Sequence, residues 1–467
     1  MKLDLAVVNG KVFINGRFIN ADIGIKDEKI ELISENGLDI EADKVIDAEG
    51  KYVIPGGVDT HVHFRDPGHS ERGTFYTESM AAVAGGTTTI LEHPISSPPQ
   101  YNKEILDNRK KVAKERQGVV DYAFFAAAGG QYPEEITKVA KEGIVAFKTF
   151  LHEAPEGRED EFVGLTMAND YEIYIGMQEV AKTGLMLASH AENNDLIQGF
   201  IKKFRQEGKV GAEYHCPSRP PISEYTTVQK MITFAEATGC ILDLVHISTA
   251  KAMQYAKEAK ERGQKLYLET CPHYLLLTEE ELIKHGAYAK CNPPLRTKEE
   301  VDNIWKYVLD GTVDFIGSDH GPFLAEEKDK GLKDIFLAPA GTVGIDVRLP
   351  LMINEAVEGK RGITLERVVE LCCENPAKAF NIYPKKGVIQ PGSDADLVIF
   401  DTNEKYVIDW RKNYSKSKEI AKIYDGKELN CKLNYTILRG KVVMKDGLVD
   451  PEKDGTKGWG KLVLRNN

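Results

Sequence analysis

Both ends of the chain alternate apolar and polar positions, whereas the centre alternates short apolar runs with amphipathic stretches. Residues Leu5 to Ile33 read as short strands, with hairpin turns indicated at Asn9-Gly10 and Asn15-Gly16. Two-residue hairpin turns need positive φ, which Asn and Gly tolerate. Gly387 to Phe400 has the same look, with a turn at Pro391-Gly392, and another strand pattern spans Tyr435 to Met444. The two ends are expected to form one small β-sandwich domain from residues 1–54 and 386–450. Residues 55–385 then form an inserted central domain, and 451–467 an irregular tail.

The centre carries eight runs of strand character: Val53–His63, Thr87–Pro94, Val120–Ala128, Val145–Leu151, Gly184–Glu192, Cys240–Ser248, Lys265–Tyr274 and Val313–Asp319. Polar, helix-periodic stretches separate them, among them Asn102–Gln117, Tyr171–Thr183, Thr226–Thr238, Ala250–Arg262 and Lys298–Asp310. Such alternation marks repeated β-α units. Eight strands over about 270 residues match the length of a (β/α)8 TIM barrel, an α/β fold. An open doubly wound sheet is the rival, but no Gly-rich phosphate loop follows the first strand, so that fold lacks its usual signature.

Composition narrows the partners. A chain of 467 residues can bury a large core without disulfides. Its net charge of −11 argues against nucleic acid or an anionic membrane as the main partner. No segment approaches the roughly 20 apolar residues of a membrane-spanning helix, and Met1-Lys2-Leu3-Asp4 runs into a strand without a signal-peptide core. Seven cysteines without Cys-x-x-Cys spacing fit reduced thiols. Cys372 and Cys373 fall in a helical apolar pattern. A cytoplasmic protein is expected.

The chemistry sits where the apolar runs end. His61 and His63 close the first run, Lys148 lies in the fourth, His190 near the end of the fifth, His246 near the end of the sixth and Asp319 closes the eighth. In a barrel those ends converge on one face, where active sites are built. His61 and His63 are two apart on a strand and point to one side, and neutral imidazole is the commonest metal ligand. A lone His-x-His is a weak signal; joined by two more strand-end histidines and an aspartate, it reads as metal binding. Lys148, between Phe147 and Phe150, would be buried. It either snorkels to a carboxylate or has a lowered pKa that lets its neutral amine capture carbon dioxide as a carbamate. Asp319 could serve as ligand, general base or both. His93 and His273 end the second and seventh runs and could face the pocket or form its hydrogen-bonded rim. Arg65 could meet a substrate carboxylate or carbonyl, or pair with Asp66 or Glu71. Asn292, before Pro293-Pro294, could hydrogen-bond a substrate, and Gly341 could allow close backbone approach.

These segments resemble the cyclic amidohydrolases of the amidohydrolase superfamily: hydantoinases and dihydropyrimidinases, allantoinases and dihydroorotases. The resemblance runs through Gly57-Val58-Asp59-Thr60-His61-Val62-His63-Phe64-Arg65, Ala84-Gly85-Gly86-Thr87-Thr88, Phe147-Lys148 and Ser189-His190-Ala191-Glu192-Asn193. It continues through Val245-His246-Ile247-Ser248, Glu269-Thr270-Cys271-Pro272-His273-Tyr274, Asn292-Pro293-Pro294, Gly317-Ser318-Asp319-His320 and Gly392-Ser393-Asp394-Ala395-Asp396-Leu397. It implies two divalent metal ions, usually zinc, sharing a bridging hydroxide. His61, His63 and Asp319 would bind one ion, His190 and His246 the other, and a carboxylated Lys148 would bridge them. Asp319 would shuttle the proton, and the chain would form homo-oligomers, dimers or tetramers.

Within the group the pattern is mixed. His63-Phe64-Arg65-Asp66-Pro67-Gly68 and Asn292-Pro293-Pro294 look like dihydroorotase, but His93-Pro94-Ile95 replaces its Pro-Asn-Thr segment. Phe323 also stands where that enzyme has a substrate-binding histidine. Glu269–Tyr274 and Gly317–Pro322 look like allantoinase and hydantoinase, although Glu153 stands where hydantoinases usually have tyrosine. The expected activity is hydrolysis of a C–N bond in a small cyclic amide or ureide, allantoinase ahead of hydantoinase, with dihydroorotase as the alternative. A non-enzymatic scaffold would have lost its ligands, and a one-metal deacylase of acyclic N-acyl compounds would not need the lysine carbamate.

Overall fold

The eight runs become parallel strands covered on both faces, and they are buried at nearly every position rather than at every second one. A computed structural model describes residues 2–35, 37 and 41–466. The strands are β1 (Gly57–Val62), β2 (Thr87–Glu92), β3 (Asp121–Ala127), β4 (Ala146–Phe150), β5 (Met186–His190), β6 (Ile241–Leu244), β7 (Leu266–Thr270) and β8 (Phe315–Ile316). Each pairs with its sequence neighbour. The ring closes where Val62 bridges His320 and the His63 N–H donates to the His320 carbonyl at 2.8 Å. This is a (β/α)8 barrel.

Helices at Lys103–Glu115, Asp170–Ala181, Pro221–Thr238, Ala250–Glu261 and Lys298–Leu309 fall on the five periodic stretches. Several start at a side-chain cap: Asn102, Asn169 and Thr297 each accept an N–H of the first turn, satisfying a donor that the helix leaves free. Cys372 and Cys373 are buried in a π-helical turn, Glu370–Glu374.

The termini build a separate mixed sheet with its own apolar core, including Val7, Ile23, Val53, Leu397 and Ile437. Its strand order is Lys441–Lys445, Lys432–Leu438, Leu397–Asp401, Tyr52–Pro55, Leu5–Ile14, Arg17–Lys26, Lys29–Ser34, with Val45–Asp47 against Leu5–Ile14. Three sequence expectations change. Asn9-Gly10 is a bulge within one strand rather than a turn: register shifts there, Asn9 has φ 57°, and its N–H donates to Asp22. The run Val53–His63 is two strands, one in each sheet, split at Gly56, where a Cβ would lie 2.1 Å from Thr88 Oγ1. Tyr435–Met444 folds back on itself at Arg439-Gly440, both with positive φ. The Asn15-Gly16 turn is as expected.

Barrel, sheet and tail meet at one buried ion cluster. Lys386 Nζ lies 2.5, 2.9 and 2.8 Å from carboxylate oxygens of Asp121, Asp394 and Asp396, and Arg439 also pairs with Asp121. The tail hydrogen-bonds to the start of β3, through the Tyr122 N–H to Lys461 and the Val463 N–H to Tyr122.

Candidate active site

The C-terminal ends of the strands open into a cavity of about 830 Å³. His61, His63, His190, His246 and Asp319 line it, with Arg65, Asn292 and Gly341. Strand period two brings His61 and His63 to the same side. His246 and Asp319 lie beyond the ends of β6 and β8, at left-handed φ of 45° and 49°; these turns end the strands earlier than their apolar patterns do. Arg65, at 63°, is a third residue of this kind. Such backbone costs about 1–3 kcal/mol per residue and concentrates at functional sites.

The donor atoms converge. Asp319 Oδ1 is 3.4 Å from His61 Nε2 and 3.5 Å from His63 Nε2, and His190 Nδ1 is 3.1 Å from His246 Nε2. Burial, foremost, and neighbouring cations push the His61, His63 and His246 imidazoles well below their usual pKa, favouring the neutral form that ligates metals. Lys148 lies fully buried, its Nζ without a hydrogen-bond partner among the described residues and 5.0 Å from the Phe150 ring centroid. Burial pulls its ammonium pKa down, against the opposing pull of Asp319 and Glu269; burial likewise pushes the Asp319 carboxyl up. A buried amine with no partner is costly, and in this position it fits a group that reacts or ligates.

Two expected substrate contacts are placed otherwise. His93 stacks on His61 at 3.8 Å between centroids and commits Nε2 to the Thr60 carbonyl. It is close enough to His61 and His63 for all three to share an ion, but it does not line the cavity. His273 is buried beside Tyr274, its pKa driven to about 3 by burial, and also lies outside the lining. Arg65 pairs with neither Asp66 nor Glu71 but donates to Glu161 at 3.3 Å; Asp66 is held by Arg116. The Gly341 backbone comes so close to its neighbour that a Cβ would lie 2.7 Å from the Gly321 carbonyl oxygen.

Other site residues were not singled out from the sequence. Glu269 in β7 bonds His61 Nδ1 at 2.7 Å; a carboxylate in an apolar strand is the same kind of signal as Lys148. Glu192 bonds His190 Nε2 at 2.8 Å and accepts from Arg219 at 2.5 Å. Burial opposes its charge, but Arg219 and His190 bring its carboxyl to about 2. His152 sits at the rim, with Nδ1 on the Glu153 carbonyl and a pKa lowered to about 4 by burial and then His190. Glu161 gathers Arg65, Arg72 and Arg158, whose guanidiniums lie 4.6–5.2 Å from the Phe323 ring centroid.

An amidohydrolase family model matches residues 52–443. L-hydantoinase of Paenarthrobacter aurescens is 35% identical, covering 99% of this chain and 98% of its own length. An allantoinase of Rubrobacter xylanophilus is 35% identical over 95% of each chain, and a dihydroorotase of Lactobacillus delbrueckii subsp. bulgaricus 33% identical over 95% and 100%. The solved L-hydantoinase (dihydropyrimidinase) from Arthrobacter aurescens superposes with a TM-score of 0.93 at 34% identity, covering 99% of this chain and 100% of that one. The chain belongs to the amidohydrolase family. Within it the chain falls among the hydrolases of cyclic amides, beside relatives named hydantoinase, allantoinase and dihydroorotase. Among the described residues no helix is long and apolar enough to cross a membrane.

Proposed function

We propose that the chain opens the ring of a hydantoin-type cyclic ureide bearing an apolar substituent, at a centre of two divalent metal ions. The observation that carries this reading is the division of the cavity. Its floor holds the imidazoles and Asp319, while Ile197, Ile201, Phe336 and Leu337 form an apolar patch in an outer wall that also carries Gln198, Arg205 and Lys330. A patch of that kind rewards an aliphatic or aromatic substituent, which moves the preference from allantoin to a substituted hydantoin.

His61, His63 and Asp319 would hold one ion and His190 and His246 the other, with zinc the expected metal and a carboxylated Lys148 between them. In forming that carbamate the neutral amine bonds carbon dioxide and releases a proton. When bound, the ions polarise a carbonyl and make water more acidic. Asp319 takes a proton from the attacking water and passes it to the leaving ring nitrogen, so that water is added across the C–N bond. Asn292, whose buried Oδ1 has no partner among the described residues, accepts a ring N–H, and Arg65 steadies a carbonyl. The dihydroorotase alternative draws on Arg65 in the cavity and is weakened by Phe323. Seven buried, unpaired thiols suit the cytoplasm, and a homodimer or homotetramer belongs to the same proposal.

The test is a panel of benzyl- and isobutyl-substituted hydantoins, allantoin, dihydrouracil and dihydroorotate with the metal-loaded protein. The highest kcat/KM is expected for a substituted hydantoin. A clear lead for allantoin or dihydroorotate would overturn the substituent assignment, and turnover of none would overturn the reading.

A further inference from the structure

His190 and His246 come from neighbouring strands, and what holds them in register lies outside the cavity floor. His190 bonds Glu192 through Nε2, leaving Nδ1 toward His246. Glu192 is buried, and Arg219 Nη1 donates to the same oxygen, Oε2, that meets His190. Arg219 itself stands on a loop, with its backbone carbonyl accepting from Arg296 Nη1 at 2.6 Å. Arg296 then reaches the other histidine's loop: its Nε donates to Ser248 Oγ at 3.0 Å, two residues beyond His246. Ser248 is in turn fixed by Glu224, which accepts its hydroxyl and N–H and lies 3.5 Å from Arg296 Nη2. One continuous chain of bonds therefore runs from the His190 ring to the backbone beside His246.

We infer that Arg219 is a positioning residue for the second metal site, aiming His190 Nδ1 at the ion through Glu192 while Arg296 ties that aim to the His246 loop. The inference rests on the proposed binuclear centre. Arginine suits the role because its planar fork fixes direction as well as charge. Lysine would supply the charge from a flexible stem. Among the described residues, the hydrogen bonds of Arg219, Glu192 and Arg296 reach none of His61, His63 and Asp319. The two sites are tied instead through Glu269, which holds His61 Nδ1 and the His246 N–H, so disturbing Arg219 should act on the ion held by His190 and not on the other.

The experiment compares wild type, Arg219→Lys and Arg219→Ala for zinc content and for the rate of zinc loss to a chelator. Outer-shell changes of this kind weaken metal binding about 10–100-fold. One ion is expected to dissociate about that much faster in both variants while the other keeps its wild-type rate, and added guanidinium should slow the loss in Arg219→Ala. If Arg219→Ala does not fold, Arg219→Lys and Arg296→Lys carry the same comparison. Two ions released at wild-type rates from the lysine variants, or both ions lost together, would overturn the inference. A wild-type protein that binds no metal would instead overturn the reading on which it rests.

Discussion

Glu269 Oε1 lies 2.7 Å from Nδ1 of His61, and the same carboxylate accepts the Thr60 hydroxyl at 2.5 Å and the His246 N–H at 3.2 Å. A carboxylate on Nδ1 leaves the Nε2 lone pair of His61 toward Asp319 and fixes the ring plane. One acid from β7 thus sets a side chain on β1 and the backbone of the turn after β6. Burial pushes this carboxyl up, and Thr60 and Lys148 pull it down.

Glu269→Gln should weaken metal retention about 10–100-fold, because an amide has one acceptor oxygen for three donors. Glu269→Ala should in addition cost stability, about 1–3 kcal/mol for each buried donor left without a partner. Chelator competition and urea midpoints read the two effects separately. Unchanged retention in the glutamine variant would show that His61 is aimed by something else.

Lys148→Ala should abolish turnover, with partial recovery on adding short carboxylic acids that place a carboxylate in the vacated space. Burial lowers the Lys148 pKa, so the neutral amine is more abundant at a given pH than for a free lysine, and its share grows as pH rises. Reactivation of metal-stripped protein by zinc and bicarbonate should therefore be faster in mildly alkaline than in mildly acid buffer. Equal reactivation after bicarbonate has been removed would exclude the carbamate. Mass spectrometry under mild conditions should find one added carbon dioxide.

The barrel was legible because parallel strands buried on both faces write themselves as apolar runs, and the strand-end histidines because their positions follow from period and run length alone. The same burial hid the break at Gly56: the two strands it separates lie in different sheets but are both buried. Asn9-Gly10 misled because a bulge and a hairpin turn ask for the same tolerance of positive φ. The ion pairs were out of reach. Arg65 has acidic residues one and six positions away, yet its partner, Glu161, lies 96 residues on, a choice made by the packing of loops and not by local sequence.

Glu161 offers a pH test remote from the metal ligands. Burial opposes its charge, but hydrogen bonds and charge from Arg158, then Arg65 and Arg72, hold its carboxyl well below the usual carboxylate range. A folded-state pKa below the unfolded value of about 4.3 gives stability that is fully present above the unfolded pKa. That stability is lost as pH falls through the folded one. Glu161→Gln should lower stability at neutral pH by about 3–5 kcal/mol, since it strands the buried Arg65 guanidinium. It should also flatten the fall in stability on the acid side. Urea unfolding at a series of pH values checks both; parallel acid limbs in the variant and wild type would mean that Glu161 contributes no proton linkage.

Leu337 is 55% exposed at the cavity mouth, where an unsubstituted ring has no reason to reach. If the outer wall takes the substituent, Leu337→Ser should lower kcat/KM for benzylhydantoin about 10-fold, the equivalent of about 1.4 kcal/mol of lost apolar contact. Hydantoin itself, with nothing to place there, should be turned over at the wild-type rate. The effect should appear mainly in KM, because contact with a part of the substrate that does not react is the same before and during ring opening. Equal losses for both substrates would place the damage at the metal centre or in the fold, and no loss for either would leave the wall without a part in selecting the substrate.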